Sequence, residues 1–385
     1  MNKKRICSVV QEYFPKDIRI RKQTETLIKN NFSVSVICLR NKWEKKHEVI
    51  DGVEIYRLNL SKKRASIFRY ILEYFLFFIL AFIKLNILDL KKRFNIVQVN
   101  NLPDFLVFST IIQKLKGSKI VLDMHEIMPE FFMSKYNKSY SSFIIKLLKI
   151  IEKISLRFSS EVITINEPIK EIFQRRAIPN KEITIVMNTV DETVYPKMKL
   201  ENDGYFNLVY HGTLSEIYGL DLAIQALKEF TKNDNQFRFY IFGEGPQRDY
   251  LRTLIESNNL QKSIFLMGQV PFEEIMFNLK KMTIGILPIR KDIFLDLSFS
   301  NKLAEYIYLK IPVIISNLNA TQYYFSDDEI TYFNAGDIKD LYKNIYFAYK
   351  NPETMREKAE RAFQRYQSIR WSVMADRYLK LMNTM

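Results

Sequence analysis

The stretch SFSNKLAEYIYLKIPVIIS, residues 298–316, carries charge where a purely structural helix-to-strand joint needs none. Ser300 stands at a helix N-cap position, and Leu303, Tyr306, Ile307 and Leu309 recur at helical spacing. Pro312 then opens the β-branched run Val313-Ile314-Ile315, which reads as a buried strand. Lys302 and Glu305 occupy the first turn and a half of that helix. The helix dipole favours the carboxylate and disfavours the ammonium, unless an anion shares the site. A helix leading into a buried strand, with an anion at its N-terminus, is the expectation.

The same alternation extends outward. Upstream in the second half lie FNLVYHG, GLDLAIQALKEF, FRFYIFG, RDYLRTLIES, SIFLMGQV, FEEIMFNLKK and TIGILPI. The first half alternates in the same way, from RICSVV and FSVSVICL through FNIVQVN and KIVLDMH to EVITIN and ITIVMN. Repeated strand and helix units imply parallel sheets with helices on both faces. The polar, turn-rich stretch 188–207 separates the two runs. The expected organisation is therefore a doubly wound, Rossmann-like domain over 1–187, a linker over 188–207 and a second such domain over 208–365, facing each other. Ligands of open parallel sheets bind beyond the carboxyl ends of the strands, so the loops after these strands are where chemistry is expected.

At 385 residues, 47% hydrophobic and 26% charged, the chain has a globular balance and material for two buried cores. A net charge of +15 points to an anionic partner: nucleic acid, a membrane surface or a phosphorylated substrate. The basic residues are not interleaved with aromatics in a nucleic-acid motif, so nucleic acid is not expected. Cys7 and Cys38 lie in apolar strand-like runs and read as buried reduced thiols of a cytoplasmic protein. The basic N-terminus has only a five-residue apolar run and no small-residue cleavage site, so no signal peptide is expected.

One segment departs from the alternation: RYILEYFLFFILAFIKL, Arg69 to Leu85. Its unbroken apolar run, Tyr74 to Ile83, rises only about 15 Å as a helix, too little to span a bilayer. Lys62, Lys63, Arg64 and Arg69 precede it, and Lys91, Lys92 and Arg93 follow. Two readings stand: a helix buried in the first domain's core, or one partly exposed at an anionic membrane surface.

Four loops of the second half belong together. A strand ends at His211, and Gly212 lets the backbone approach a ligand. Another ends at Gly243, where Gly243 and Gly245 form a bend whose N–H groups can face an anion or a base edge. GILPIR and the opening stretch complete the set. In this order the chain resembles the family 4 (group 1) glycosyltransferases, retaining enzymes of the GT-B fold that use nucleotide sugars, over nearly its whole length. SNKLAEYIYLKIPVI looks like that family's signature of Lys, then Glu-Tyr, then Pro-Val-Ile. The resemblance implies that Lys302 contacts donor phosphate and Glu305 binds the nucleotide ribose. It implies a donor site of Gly212, Thr213, Gly243, Gly245, Arg290, Ser300, Asn301, Lys302, Leu303 and Glu305.

FPKDIRIRKQTETLIKNNFSVSVI resembles the form of the family's first loop with Asp and Arg before a helix, which places Asp17 and Arg19, with Asn101, on the acceptor side. VLDMHE resembles the strand end whose His reaches the donor sugar, which implies catalytic roles for His125 and Glu126. A C-terminal helix over 366–385 is expected to cross back to the first domain. Three positions depart from the family pattern. Leu297 stands eight residues before Glu305 where a first Glu is usual, with Asp296 or backbone groups as its substitute; Tyr218 stands where a Lys is expected; Lys310 replaces a helix-closing Gly.

No Asp-x-Asp triad and no His or Cys cluster with metal spacing occurs, so neither a metal nor a cofactor is expected. The function so implied is metal-independent, hexosyl-type transfer from a nucleotide sugar to a glycan or lipid-linked acceptor. It would build a surface polysaccharide, such as lipopolysaccharide or capsule, at the inner face of the cell membrane. The alternatives are a nucleotide-sugar epimerase of the same fold and a non-catalytic binding protein.

Overall fold

The computed structural model describes residues 3–62, 67–195, 200–201, 203–231 and 236–385. The chain divides into two units, Met1–Asn188 with Ser372–Met385, and Thr189–Trp371.

The first unit runs β1 (Arg5–Tyr13), α1 (Ile18–Lys29), β2 (Ser33–Leu39), β3 (His47–Ile50), β4 (Val53–Leu58) and α2 (Ile67–Lys92). It continues with β5 (Ile96–Asn100), α3 (Ile111–Leu115), β6 (Lys119–Met124), α4 (Met128–Tyr136), α5 (Phe143–Phe158), β7 (Glu161–Thr164), α6 (Glu167–Arg176) and β8 (Ile183–Ile185). Its sheet has the order β3-β4-β2-β1-β5-β6-β7-β8, parallel except for β3. Ile6, Cys7 and Val9 of β1 and Val97 and Val99 of β5 are fully buried, as strands covered on both faces require. Both thiols are free and buried.

The second unit runs β9 (Phe206–His211), α7 (Leu220–Thr231), β10 (Phe237–Phe242), α8 (Arg248–Ser257), β11 (Ile264–Gly268), α9 (Phe272–Leu279) and β12 (Ile284–Leu287). Then come α10 (Asn301–Tyr308), β13 (Val313–Ser316), α11 (Asn319–Tyr324), β14 (Thr331–Phe333), α12 (Ile338–Lys350) and α13 (Pro352–Tyr366). The order is β11-β10-β9-β12-β13-β14, all parallel. The order reverses at β9, so its carboxyl end, His211-Gly212, is the switch point at which open sheets bind ligands.

The boundaries differ from the expectation in two ways. Residues from Thr189 group with the second unit, so the division falls at the start of the stretch 188–207. Residues 366–371 also remain there, and only Ser372 onward joins the first unit. Tyr366 is held in the second unit because its hydroxyl accepts a 2.9 Å hydrogen bond from the Val190 N–H. The C-terminal α14 (Trp371–Thr384) is tied to the first sheet by a buried relay. The Tyr378 hydroxyl donates to Gln98 at 2.6 Å, Gln98 Nε2 to Gln23 at 2.8 Å and Gln23 Nε2 to Asp123 at 3.0 Å.

The apolar segment also corrects its expectation. α2 is 26 residues long, about 39 Å at 1.5 Å per residue. It is the one helix among the described residues long and apolar enough to cross a membrane. The helix runs through both charges thought to bound it, because each is accommodated: Glu73 pairs with Arg69 at 2.9 Å, and Lys84 lies over the Tyr56 ring. One face, through Tyr70, Tyr74, Phe77, Ala81, Leu85 and Leu88, is buried in the first unit, and the other is exposed. Lys63 and Arg64 lie outside the described residues.

Candidate active site

In the second unit α10 brings its first turn to the end of β9. The Lys302 ammonium sits 4.1 Å from the centre of the Tyr218 ring and 5.4 Å from that of Tyr210. Tyr218, standing where a Lys was expected, is thus a cation-π support for the lysine that remains. A Cβ at Gly212, whose φ is +129°, would lie 2.2 Å from Lys302 Cε, so only glycine leaves this path open. Burial pushes the ammonium down to about 8, with Glu305 opposing the shift. A desolvated cation of this kind gains most from an anionic partner.

Ser300 takes the N-cap position of α10 but makes no side-chain cap hydrogen bond, contrary to the expected role. The first-turn N–H groups of Asn301, Lys302 and Leu303, which a helix cannot satisfy internally, therefore lack that acceptor. Unlike the lysine, the Glu305 carboxylate is already engaged. It pairs with His211 Nε2, while His211 Nδ1 lies 2.9 Å from the Tyr306 hydroxyl. The Tyr195 hydroxyl, pushed up by burial and by this carboxylate, also hydrogen-bonds Glu305.

Other expected donor residues are used structurally. The Gly243 N–H donates to the Gly268 carbonyl at 2.7 Å, so it does not face an anion, and a Cβ there would meet the Gly212 carbonyl oxygen at 1.9 Å. Gly245 packs against the Leu214 backbone. These loops follow neighbouring parallel strands, and they stack on one another. Thr213 is exposed, and its carbonyl accepts from the Tyr210 hydroxyl at 2.8 Å. Arg290 pairs with Asp221 at 2.6 Å and donates to the Glu216 carbonyl at 3.1 Å, so it braces the β9–α7 loop. Asp296 accepts from Asn319 N and Nδ2 and pairs with Lys291, which ties it to the start of α11 and away from the role of the missing carboxylate. Lys310 does adopt the left-handed conformation, at φ +57°, and pairs with Glu360 at 2.7 Å.

In the first unit His125 follows β6 and lines a cavity of about 110 Å³ with Gln11, Glu12, Asn101 and Glu126. Its Nδ1 is buried without a hydrogen-bond partner. Burial, with Arg19 beside it, holds the imidazole well below its ordinary range, so it is neutral. A neutral imidazole acts on a neighbouring charge only through its dipole. Asn101 is buried and supports this loop: its Oδ1 accepts from the N–H groups of His125 (3.0 Å) and Glu126 (3.3 Å), and its Nδ2 donates to the Glu126 carbonyl (2.7 Å) and Asp104 (3.0 Å). That leaves its amide no spare group for an acceptor. Asp17 caps α1 by accepting from Ile20 N at 3.1 Å, and buried Arg19 lies 3.5 Å from Asp123.

His211, Tyr195 and Tyr306 were not foreseen as site residues. His211 carried a signal, being one of three histidines and placed like His125 at a strand end. Tyr195 carried none, because it lies in the stretch read as linker.

Two family models match adjoining parts of the chain: Glycosyltransferase Family 4 over residues 18–194 and Glycosyl transferases group 1 over residues 191–365. The chain belongs to this glycosyltransferase family. Among relatives of the family 4 chain is the 2-deoxystreptamine N-acetyl-D-glucosaminyltransferase of Niallia circulans, 19% identical over 251 residues, 63% of each chain. A second is the putative colanic acid biosynthesis glycosyltransferase WcaL of Salmonella typhimurium, 29% identical over 126 residues, 31% of each. The aligned stretches thus span less than two thirds of either relative. The crystal structure of Anabaena HepE in complex with UDP superposes with a TM-score of 0.71 at 12% identity, covering 99% of this chain and 100% of that one. Both parallel-sheet units are Rossmann-like, and the fold is GT-B.

Proposed function

We propose that this family 4 chain transfers a sugar, with retention, from a nucleotide diphosphate sugar to a lipid-linked glycan acceptor in the synthesis of a cell-surface polysaccharide, at the cytoplasmic face of the membrane. The observation that carries the reading is Lys302, a desolvated ammonium at an uncapped helix N-terminus beside a carboxylate. A diphosphate suits the cation and the helix N–H groups, and a ribose diol suits Glu305. In this reading the acceptor hydroxyl attacks the anomeric carbon on the face that the nucleotide leaves. The departing phosphate oxygen takes the hydroxyl proton, and Lys302 with the first turn of α10 holds the growing negative charge. His125 offers a neutral imidazole to a sugar hydroxyl. The named relatives carry glycosyltransferase names, one of them for colanic acid biosynthesis, and HepE was crystallised with UDP, which supports the choice of donor class.

Glu305→Gln tests the ribose role. The amide still accepts from Tyr195 and His211, so the fold is kept, but charge-assisted hydrogen bonds to the diol are lost at about 1.5–3 kcal/mol. Nucleotide affinity measured by calorimetry across UDP, GDP and ADP should fall about 10- to 150-fold for the nucleotide that binds wild type. Unchanged affinity sinks the assignment. Release of free nucleotide only when acceptor is present separates transfer from epimerisation and from mere binding.

A further inference from the structure

Between Ile71 and Leu90 every exposed residue of α2 is apolar. Ile71, Phe75, Ile79, Ile83 and Ile87 follow one another four residues apart, one stripe along the helix. α5 presents a second outward face, on which exposed Phe143, Leu147, Ile150 and Ile154 alternate with Lys146, Lys153 and Arg157. The one carboxylate of α5, Glu152, faces inward and is fully buried. Both helices lie on the same face of the first sheet. The crossovers from β4 to β5, β5 to β6 and β6 to β7 all advance in one direction, and right-handed connections then put α2, α3 and α5 in a single layer. Tyr70 and Tyr74 of α2 share an apolar cluster with Ile145 and Leu148 of α5.

At the far end of α2 the loops into β5 and β6 enclose a pocket of about 410 Å³. Lys3, Arg5, Arg93, Lys116, Lys119 and Met385 line it, and no acidic side chain does. Asp89, at the end of α2, is buried and paired with Lys116 at 3.0 Å, and Glu54 is paired with Lys92. Leu90 and Leu115, 79% and 83% exposed, lie at the ends of α2 and α3, Leu90 three residues before Arg93 and Leu115 directly before Lys116. Cations that converge on a pocket beside exposed leucines match a phosphate headgroup with acyl chains next to it.

We propose that this helical layer docks on an anionic bilayer, with headgroup phosphates in the basic pocket and the outward residues of α2 and α5 in the acyl boundary. Charge selects this occupant. A second copy meeting the same face would set these cations against their own counterparts. A spanning role is opposed by the inward face of α2, which is packed into the unit and carries buried Glu73 and Asp89. The lipid-linked acceptor of the proposed function supplies the reason for docking, but bilayer binding and nucleotide binding are read separately.

The test is co-sedimentation of the full chain with vesicles of phosphatidylcholine, alone or with about a third phosphatidylglycerol. Wild type should pellet with the anionic vesicles only. Arg93→Glu with Lys119→Glu and Lys153→Glu should weaken binding on the order of a hundredfold, at about fivefold per cation. Phe75→Ser with Ile83→Ser and Leu90→Ser should release the protein as well. Both variants change exposed positions and should keep the wild-type thermal shift with nucleotide. Equal pelleting of wild type and charge variant, or no pelleting of wild type at low salt, overturns the proposal. So does a concentration-dependent dimer without lipid that the apolar variant abolishes. Bilayer binding with no nucleotide response in wild type would sink the glycosyltransferase reading and leave this one standing.

Discussion

Lys302→Met lowers kcat/KM about 100- to 1,000-fold while the second unit stays folded. Methionine keeps the apolar stem that passes Gly212 and reaches the Tyr218 and Tyr210 rings, so packing is preserved and only the charge is lost. Because the ammonium is lowered to about 8 by burial, the unliganded fold holds it at a cost that a bound diphosphate removes. The pH dependence follows with a definite sign. Below about 8 the lysine is charged and donor affinity is level; above it the free protein has lost the proton and affinity falls. Binding an anion raises the lysine, so donor binding near pH 8 takes up protons, which calorimetry in buffers of different ionisation enthalpy detects. Stability shows the converse. Between about 8 and the ordinary lysine value of 10.5 the folded state holds fewer protons than the unfolded one, so wild type gains stability as pH rises through that window. The methionine variant loses both dependences. A variant with wild-type proton uptake and turnover shows that Lys302 is not the phosphate ligand.

Arg176→Met destabilises the protein by roughly 3–5 kcal/mol at neutral pH. Its guanidinium bonds Glu130 at 2.9 and 3.3 Å and Glu152 at 2.7 Å, and Glu130, Glu152 and nearby Asp104 are all buried. Removing this cation takes away the direct partner of Glu130 and Glu152. Burial already raises the Asp104 carboxyl to about 7 and that of Glu152 to about 8, each relieved in part by Arg176. With unfolded values near 4, the folded state holds protons that the unfolded state has released between about pH 4 and 8. Stability from this cluster is therefore full at the acid end and falls as pH rises through that window. Without Arg176 the fall steepens. Urea unfolding at about pH 5 and pH 7.5 should show the deficit of the variant mostly at the higher pH. An equal deficit at both points to lost packing and not to charge. The loss should extend to the His125 loop, because Asp104 accepts from the same Asn101 amide that holds Glu126.

The anion-binding reading of 298–316 needed no tertiary information, because Lys302, Glu305 and the N-terminus of α10 lie within one turn and a half of helix. The neighbouring loops were misread for the opposite reason. The Gly243 N–H looked available until Gly268, on another strand, was seen to accept it. Arg290 and Asp296 looked like ligands until Asp221 and Asn319 claimed them. The same applies to α2. A hydropathy run cut at Glu73 and Lys84 looked half the length of a spanning helix, yet Arg69 and the Tyr56 ring accommodate both charges.

The sequence by itself determined the two parallel α/β units, the strand-end loops that carry the chemistry, and Lys302, Glu305 and His125 as the residues to examine. Hydrophobic period, turn residues and helix-terminus charge act over a few residues and are legible in a linear string. Only the tertiary structure decided which partner holds each polar group. His211 reaches Glu305 across 94 positions, and Tyr378 reaches Gln98 across 280. It also assigned residues 189–207 to the second unit and left one face of α2 bare. These outcomes depend on strand order and on burial of polar groups, which are set when distant segments compete for the same interior.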